Sequence, residues 1–471
     1  MNQNRVQGMK RTQMIGAVLS LAVLLGMLFV PESIGLSRQG INTLGLLIAI
    51  IIALVTEPLP IGITCMLGIA LCVIFGTTES ISQALSGYTN HILFFVLASF
   101  GVSEAIAKVP LSQRLLVLLI KIFGTNIRHI LFAFMLCTAI MSSIMSNVAA
   151  TAIFISVVIS FLNIYEEEDS RKISGKAFMI ALPIASMLGG MITPAGSSLN
   201  LLGIDFLNKA GVPVSFVQWM AIGAPIAILS LLFSWWIILK VFKPVEIEKE
   251  KIETYMQSLN IPKQFESKEK IVVVIISTML ILWILSSWVK ALNVTVVAIV
   301  GFSLFFLPGI DVLDWRGYTR KVSWESFFLI GTMMSLGNLL AENGVSSWLI
   351  QIVFPDSMNM PQFVTVFFIC IIVFLLLLPI PLGPALISML GAPFIDLAAR
   401  WGLSPALLLL PLVLCAVNCF LLPLDTVPLL TYSTGYYKMS DMPKVSIYIQ
   451  IVLAALISAW IPIILRVLGF M

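Results

Sequence analysis

Four short stretches place polar or helix-breaking residues inside otherwise apolar sequence, and these are where chemistry is possible. The first is Met141-Ser142-Ser143-Ile144-Met145-Ser146-Asn147-Val148. The second is Gly189-Gly190 followed by Thr193-Pro194-Ala195-Gly196-Ser197-Ser198-Leu199-Asn200. The third reads Pro379-Ile380-Pro381-Leu382-Gly383-Pro384, and the fourth Pro423-Leu424-Asp425-Thr426-Val427-Pro428. In hydrocarbon an unsatisfied backbone group costs several kcal/mol, so broken helices persist only where they are buried in protein or line a cavity. A half-helix N-terminus offers spare N–H donors and positive partial charge to an anion. Carbonyls freed by the same breaks, with Ser and Asn oxygens beside them, suit a small hard cation such as sodium. Asp425 is an acid at membrane depth, where an ionisable group is a functional candidate. It either ligates a cation or carries a proton, or else it caps a half-helix or pairs with a lysine.

These stretches must be held by membrane-spanning helices. Of 471 residues 59% are hydrophobic and only 11% charged, against roughly 25% charged in a soluble domain. Apolar runs such as Met14 to Val30, Leu44 to Val55 and Ile271 to Val289 approach the length of about 20 residues that a helix needs to cross a bilayer. The expected fold is therefore all-α membrane, with about 11 transmembrane helices or their equivalents. The run after Arg5, Lys10 and Arg11 reads as a first span over 1–30, because no small-residue cleavage site follows it. The strongly polar stretch 243–270 reads as a solvated cytoplasmic linker.

Lys and Arg mark the cytoplasmic side of short loops. That rule puts the N-terminus inside, together with Lys121 and Arg128, Arg171, Lys172 and Lys176, the linker, and Arg316, Arg320 and Lys321. Segment 129–162 then begins and ends on one face, which means either two short spans or a re-entrant hairpin, and the polar cluster at its centre favours the hairpin. A shift of about 234 positions lays the first half on the second, and it lands Ser146-Asn147 on Ile380-Pro381. Two inverted repeats follow, 31–242 and 271–471. Each holds a hairpin (129–162 and 363–399) and an unwound helix (177–206 and 403–437), the arrangement that marks a transporter's binding site.

Ser146-Asn147-Val148-Ala149-Ala150-Thr151 resembles the Ser-Asn-Thr hairpin tip of the divalent anion/sodium symporters, carriers of dicarboxylates, citrate or sulfate. Gly189-Gly190 with Thr193 to Asn200 is similar to that family's TPxGxxxN loop, and Thr56-Glu57-Pro58-Leu59-Pro60-Ile61 to its Thr-Glu-x-x-Pro-Ile scaffold segment. The resemblance implies a homodimer whose transport domain slides against a fixed scaffold, an elevator motion. It implies an anion enclosed by the hairpin tips and unwound helices, at Ser146, Asn147, Val148, Thr193, Ser197, Pro381, Leu382, Gly383, Asp425 and Thr426. It further implies a sodium ion at Ser142, Ser146, Asn147 and Gly196. The second half departs from the family, with Pro381-Leu382-Gly383 where Ser-Asn-Thr usually recurs, so side-chain oxygens are missing there.

The expected function is sodium-coupled transport of small organic dianions, C4-dicarboxylates first among them, in a bacterial cytoplasmic membrane. The alternative is a cation-independent or proton-coupled exchanger that uses Asp425. No HExxH, His/Cys cluster or P-loop supports an enzyme or a pump, no organic cofactor is expected, and no basic stripe supports nucleic-acid binding. The six cysteines sit in apolar stretches and read as structural. Bland readings stand beside the sharp ones. Ser146-Asn147 serves equally as interhelical hydrogen bonding, Gly189-Gly190 as close packing, and Thr193, Ser197 and Asn200 as partners for freed backbone.

Overall fold

Each of the four polar interruptions falls between two helices. In the computed structural model, which describes residues 11–32, 35–259, 261–289, 291–353 and 360–471, every regular element is a helix. Arg5 and Lys10, used above to orient the N-terminus, lie outside the described residues. Five helices are long and apolar enough to cross a bilayer: Arg11–Phe29, Arg38–Thr56, Glu168–Gly190, Phe216–Phe242 and Pro443–Val467. A sixth span is possible as the pair His91–Ala107 and Leu111–Phe123, bent by 64°. The hairpin arms Ile127–Ser142, Asn147–Leu162 and Gln362–Leu376 are shorter apolar helices. With 16 residues, Ile127–Ser142 reaches only about 24 Å, short of a hydrocarbon core of about 30 Å.

The chain divides into two compact units. The first takes the described residues within 11–93, 323–353 and 384–403. Here Tyr88 Oη donates to Phe328 O at 3.0 Å and lies 2.7 Å from Thr332 Oγ1, while Gly87 N donates to Ser335 Oγ at 3.0 Å. Asn343 Nδ2 reaches both Thr43 Oγ1 (2.7 Å) and Thr77 O (2.8 Å). Glu57 closes Arg38–Thr56 in a left-handed conformation at φ 48°, and Pro58 then prevents the helix from resuming. Its backbone oxygen accepts from Gln13 Nε2 at 2.9 Å, so this residue organises a helix end.

The second unit takes the described residues within 94–322, 360–383 and 404–471, and holds the first, second and fourth breaks and the third up to Gly383. The first hairpin is entered beside the polar linker: Glu246 Oε2 accepts from Ile127 N at 3.2 Å, and Trp235 Nε1 donates to Arg128 O at 2.9 Å. The chain returns to the same side, where Tyr165 Oη donates to Val245 O at 2.5 Å. The C-terminal helix Pro443–Val467 also starts there. Its 25 residues extend about 37 Å, and at the far end Arg466 Nη2 donates to Gln362 Oε1 at 2.8 Å. Gln362 opens Gln362–Leu376, so that helix starts at the end of Pro443–Val467 away from the linker.

Two polar stretches read above as linker and short loop contain helix. Residues 243–270 are not all loop. Lys249–Ser258 is a helix, because Ile252 and Tyr255 share a face and bury themselves, and Tyr255 Oη donates to Val157 O at 3.2 Å. The linker's end forms the first turn of Ser267–Leu285, where buried Glu269 pairs with Arg114. Likewise Glu168 and Asp169 form a helix's first turn, and Arg171, Lys172 and Lys176 lie along that helix. Acids at the start of a helix complement its dipole.

On this side Asp441 is buried between Lys444 (2.7 Å) and Lys176 (3.1 Å). Burial works to raise its pKa, but Lys444, the Lys438 N–H and Lys176 together hold it down at about 2. A carboxyl with a depressed folded pKa contributes stability above its unfolded value of about 3.9, and that stability is lost as pH falls toward 2. Asp441→Asn is accordingly expected to lower the melting temperature at pH 7. The gap from wild type should narrow as the pH is lowered from about 4 and close toward pH 2. A gap constant across that range would refute the ionic role.

Candidate functional site

The site is built from the ends of half-helices. Ile127–Ser142 stops where Ser143 Oγ turns back onto Ile140 O at 2.7 Å. The chain restarts at Asn147 after Ser146 adopts extended backbone, and Ser146 N donates to Ser103 Oγ at 3.2 Å. The Ser146 side chain makes no capping bond. Ser142 Oγ donates to Asn147 Oδ1 at 2.8 Å and lies 3.0 Å from Ser186 Oγ, which donates to Asn147 O at 2.9 Å. Val148 occupies the first turn of the returning arm, half-buried.

The second break folds against this tip. Thr193 Oγ1 donates to Ser143 O at 2.6 Å and accepts from Gly196 N at 3.0 Å, so one hydroxyl ties the two interruptions together. Ser197 caps Ser198–Lys209, accepting from Leu199 N at 3.3 Å. Asn200 Nδ2 donates to Gly190 O and Thr193 O, both at 2.8 Å, satisfying carbonyls that the break exposes. Glycine is required here by space. A Cβ on Gly190 would stand 2.2 Å from Asn147 Oδ1, and one on Gly196 would stand 2.5 Å from Gly190 O. Ser142, Asn147, Gly190 and Gly196 thus converge.

The third and fourth breaks join the group. A Cβ on Gly383 would meet Leu199 Cδ1 at 2.6 Å and Ala416 O at 3.1 Å, so this tip rests on the first turn of Ser198–Lys209 and the last turn of Pro405–Val417. Pro381 is buried and Leu382 half-buried. The fourth break starts earlier than the prolines suggest, at Asn418, which ends Pro405–Val417. Asn418 Nδ2 donates to Leu414 O at 2.8 Å, and its backbone oxygen accepts from Gln450 Nε2 at 3.3 Å. Asp425 is the N-cap of Thr426–Tyr432, accepting from Val427 N at 3.1 Å. Thr426 is exposed, and its helix packs on Asn147–Leu162 and Glu168–Gly190.

Cation fit can be tested on the oxygens. Asn200 Oδ1 and Asn418 Oδ1 are buried without a hydrogen-bond partner, a condition that costs about 1–3 kcal/mol unless something fills it. At the hairpin tip, two hydroxyl protons serve three contacts among Ser142, Ser186 and Asn147. Lone pairs are in excess there. The donor set, all oxygen and uncharged, suits sodium.

Sequence reasoning missed Ser103, Ser186, Met191, Trp219, Asn418 and Gln450. Ser186 had a signal, because it lies four residues before Gly190 and so on the same helix face. Asn418 had one too, as the polar residue ending a long apolar helix. Trp219 Nε1 donates to Met191 O at 3.1 Å, and no local pattern announces that pairing.

Apolar spans, paired half-helices and breaks gathered at one place define an integral membrane protein of the transporter class. The chain belongs to the family described as the sodium:sulfate symporter transmembrane region, which matches residues 11–470. It is 26% identical over 473 aligned positions to the sodium-dependent dicarboxylate transporter SdcS of Staphylococcus saprophyticus, covering 93% of this chain and 89% of that one. The protein of the same name from Staphylococcus aureus strain USA300 is 25% identical over 475 positions, covering 94% and 90%. The protein is a transporter and not an enzyme.

Proposed function

We propose that this protein is a sodium-coupled carrier of C4-dicarboxylates, built from two inverted repeats, working as a homodimer by an elevator mechanism with the N-terminus in the cytoplasm. The observation that carries the reading is the meeting of the Ser142–Asn147 tip with Gly190, Thr193 and Gly196. There, carbonyl and amide oxygens stand beside the N-termini of Asn147–Leu162 and Ser198–Lys209. Oxygens would hold the cation, and the spare N–H groups would hold the anion's carboxylates. A cation between them offsets the cost of bringing a dianion out of water. The names of the relatives support sodium and dicarboxylate, and the start of Gln362–Leu376 away from the linker supports inverted repeats. Ser146, Val148, Ser197, Pro381, Leu382, Gly383 and Thr426 would complete the anion's surroundings.

The test is accumulation of labelled succinate in proteoliposomes under an inward sodium gradient. Accumulation is expected, and uptake that ignores sodium would overturn the coupling.

A second reading, exchange or proton coupling through Asp425, is favoured by the absence of hydroxyl or amide side chains at Pro381-Leu382-Gly383. Against it stands the observed cap, since Asp425 already accepts from Val427 N. Asparagine caps as well as aspartate, so Asp425→Asn separates the roles. Sodium-driven uptake is expected to stay within about twofold of wild type, the scale left when a cap is kept. Loss of transport, or a changed response to a proton gradient, would make Asp425 the coupling group.

A further inference from the structure

On the linker side, away from the four breaks, lies an open groove of about 520 Å³ lined by Arg128, Trp235, Trp236, Leu239, Lys240, Lys243, Pro244 and Glu246. Its size falls within the roughly 300–1,000 Å³ of small-ligand sites. Lys240 lies 4.9 Å from the centre of the Trp236 ring, and Trp236 is 50% exposed. Trp235 is fixed, donating to Arg128 O at 2.9 Å with its ring 5.2 Å from that of Phe132. Lys243 ends the spanning helix Phe216–Phe242 in a left-handed conformation, and the basic side chains Arg128 and Lys243 stand exposed. The described structure gives Arg128, Lys240 and Lys243 no ion pair with a carboxylate. The groove's one acid, Glu246, is occupied in accepting from Ile127 N.

We infer that this groove binds the headgroup of an anionic phospholipid. The position argues for it: the groove sits at the end of a 27-residue apolar helix, where a bilayer's headgroups lie. Tryptophan with basic neighbours is the composition of a membrane interface. Three cations around one engaged acid leave a positive site complementary to a phosphodiester, and basic pockets at helix ends on the cytoplasmic side are suited to acidic lipids. A soluble anion would find the same charges but no partner for its apolar side. A lipid places its chains along the exposed Leu232 and Trp236 of the same helix.

The experiment uses the full chain in phosphatidylcholine vesicles doped with brominated phosphatidylglycerol or brominated phosphatidylcholine. The fluorescence lost on Trp236→Phe isolates the reporter. Quenching of that component is expected to reflect about fivefold or greater enrichment of the acidic lipid, given three cations at the surface. Arg128→Gln with Lys240→Gln and Lys243→Gln should remove the preference, with elution on size exclusion unchanged. Should the triple variant fail to fold, Lys240→Gln alone should at least halve the preference, because Lys240 touches only Trp236 among the contacts described. Equal quenching by both lipids, or a preference that survives these changes, would overturn the site. So would competition by soluble glycerol phosphate at the vesicle surface, which would make the groove a site for free phosphate.

Discussion

Asn147→Ala is expected to raise the sodium concentration that uptake requires, so that little uptake remains at ordinary sodium, while leaving an assembled protein. Asn147 supplies the oxygen that Ser142 meets at 2.8 Å, and its backbone oxygen is held by Ser186 at 2.9 Å. Alanine keeps the backbone contact and removes the side-chain oxygen. A neutral ligand contact is worth about 1–3 kcal/mol when buried. That predicts a sodium requirement raised between about fivefold and about 150-fold. Uptake against sodium concentration measures it. A parallel melting curve separates a lost ligand from a lost fold, since a structural role alone would lower stability without moving the sodium midpoint of the remaining activity. Ser142→Ala should shift the midpoint in the same direction but less, because Ser186 remains.

Gly190→Ala should be the more damaging single change per atom added. The new methyl would stand 2.2 Å from Asn147 Oδ1, 2.7 Å from its Nδ2 and 2.8 Å from its Cγ. The Asn147 amide is not free to swing away, since Ser142 Oγ donates to its Oδ1 and Ser186 Oγ anchors its backbone oxygen. Either the hairpin tip moves or the helix Glu168–Gly190 shortens, and both outcomes dismantle the site. Overpacking costs about 1–3 kcal/mol in stability, but transport should fall to background because the oxygens no longer converge. The control is Gly26→Ala, where an added methyl meets nothing within 4 Å and the backbone is already helical at φ −61°. That variant should transport normally. Wild-type uptake by Gly190→Ala would mean that Asn147 is not at the ligand.

The sequence made some levels of this architecture legible and left others closed. Membrane class followed from charge scarcity, and the positions of the breaks followed from Ser-Asn, Gly-Pro and Pro-Pro clusters, because a polar group in hydrocarbon needs a reason. The linker helix Lys249–Ser258 was hidden, since Ile252, Tyr255 and Met256 alone give too little periodicity in a charged stretch. Asn418 was hidden for the opposite reason: the prolines at 423 and 428 mark a break, but the helix ends at Val417, six residues before the first of them. Asp425 carried two meanings that composition could not separate, and only its bond to Val427 N gave the capping role substance. Long-range partners such as Ser103 for Ser146 and Trp219 for Met191 have no local signature at all, because they exist only once the helices pack.

The central claim is that cation and anion are moved together by one set of oxygens and helix ends. Labelled sodium flux into proteoliposomes, with succinate supplied outside or withheld, tests it most directly. Sodium entry that appears only with succinate, and is largely lost at ordinary sodium in Asn147→Ala, is the predicted result. Succinate uptake with no accompanying sodium entry, or sodium entry indifferent to succinate, would contradict it.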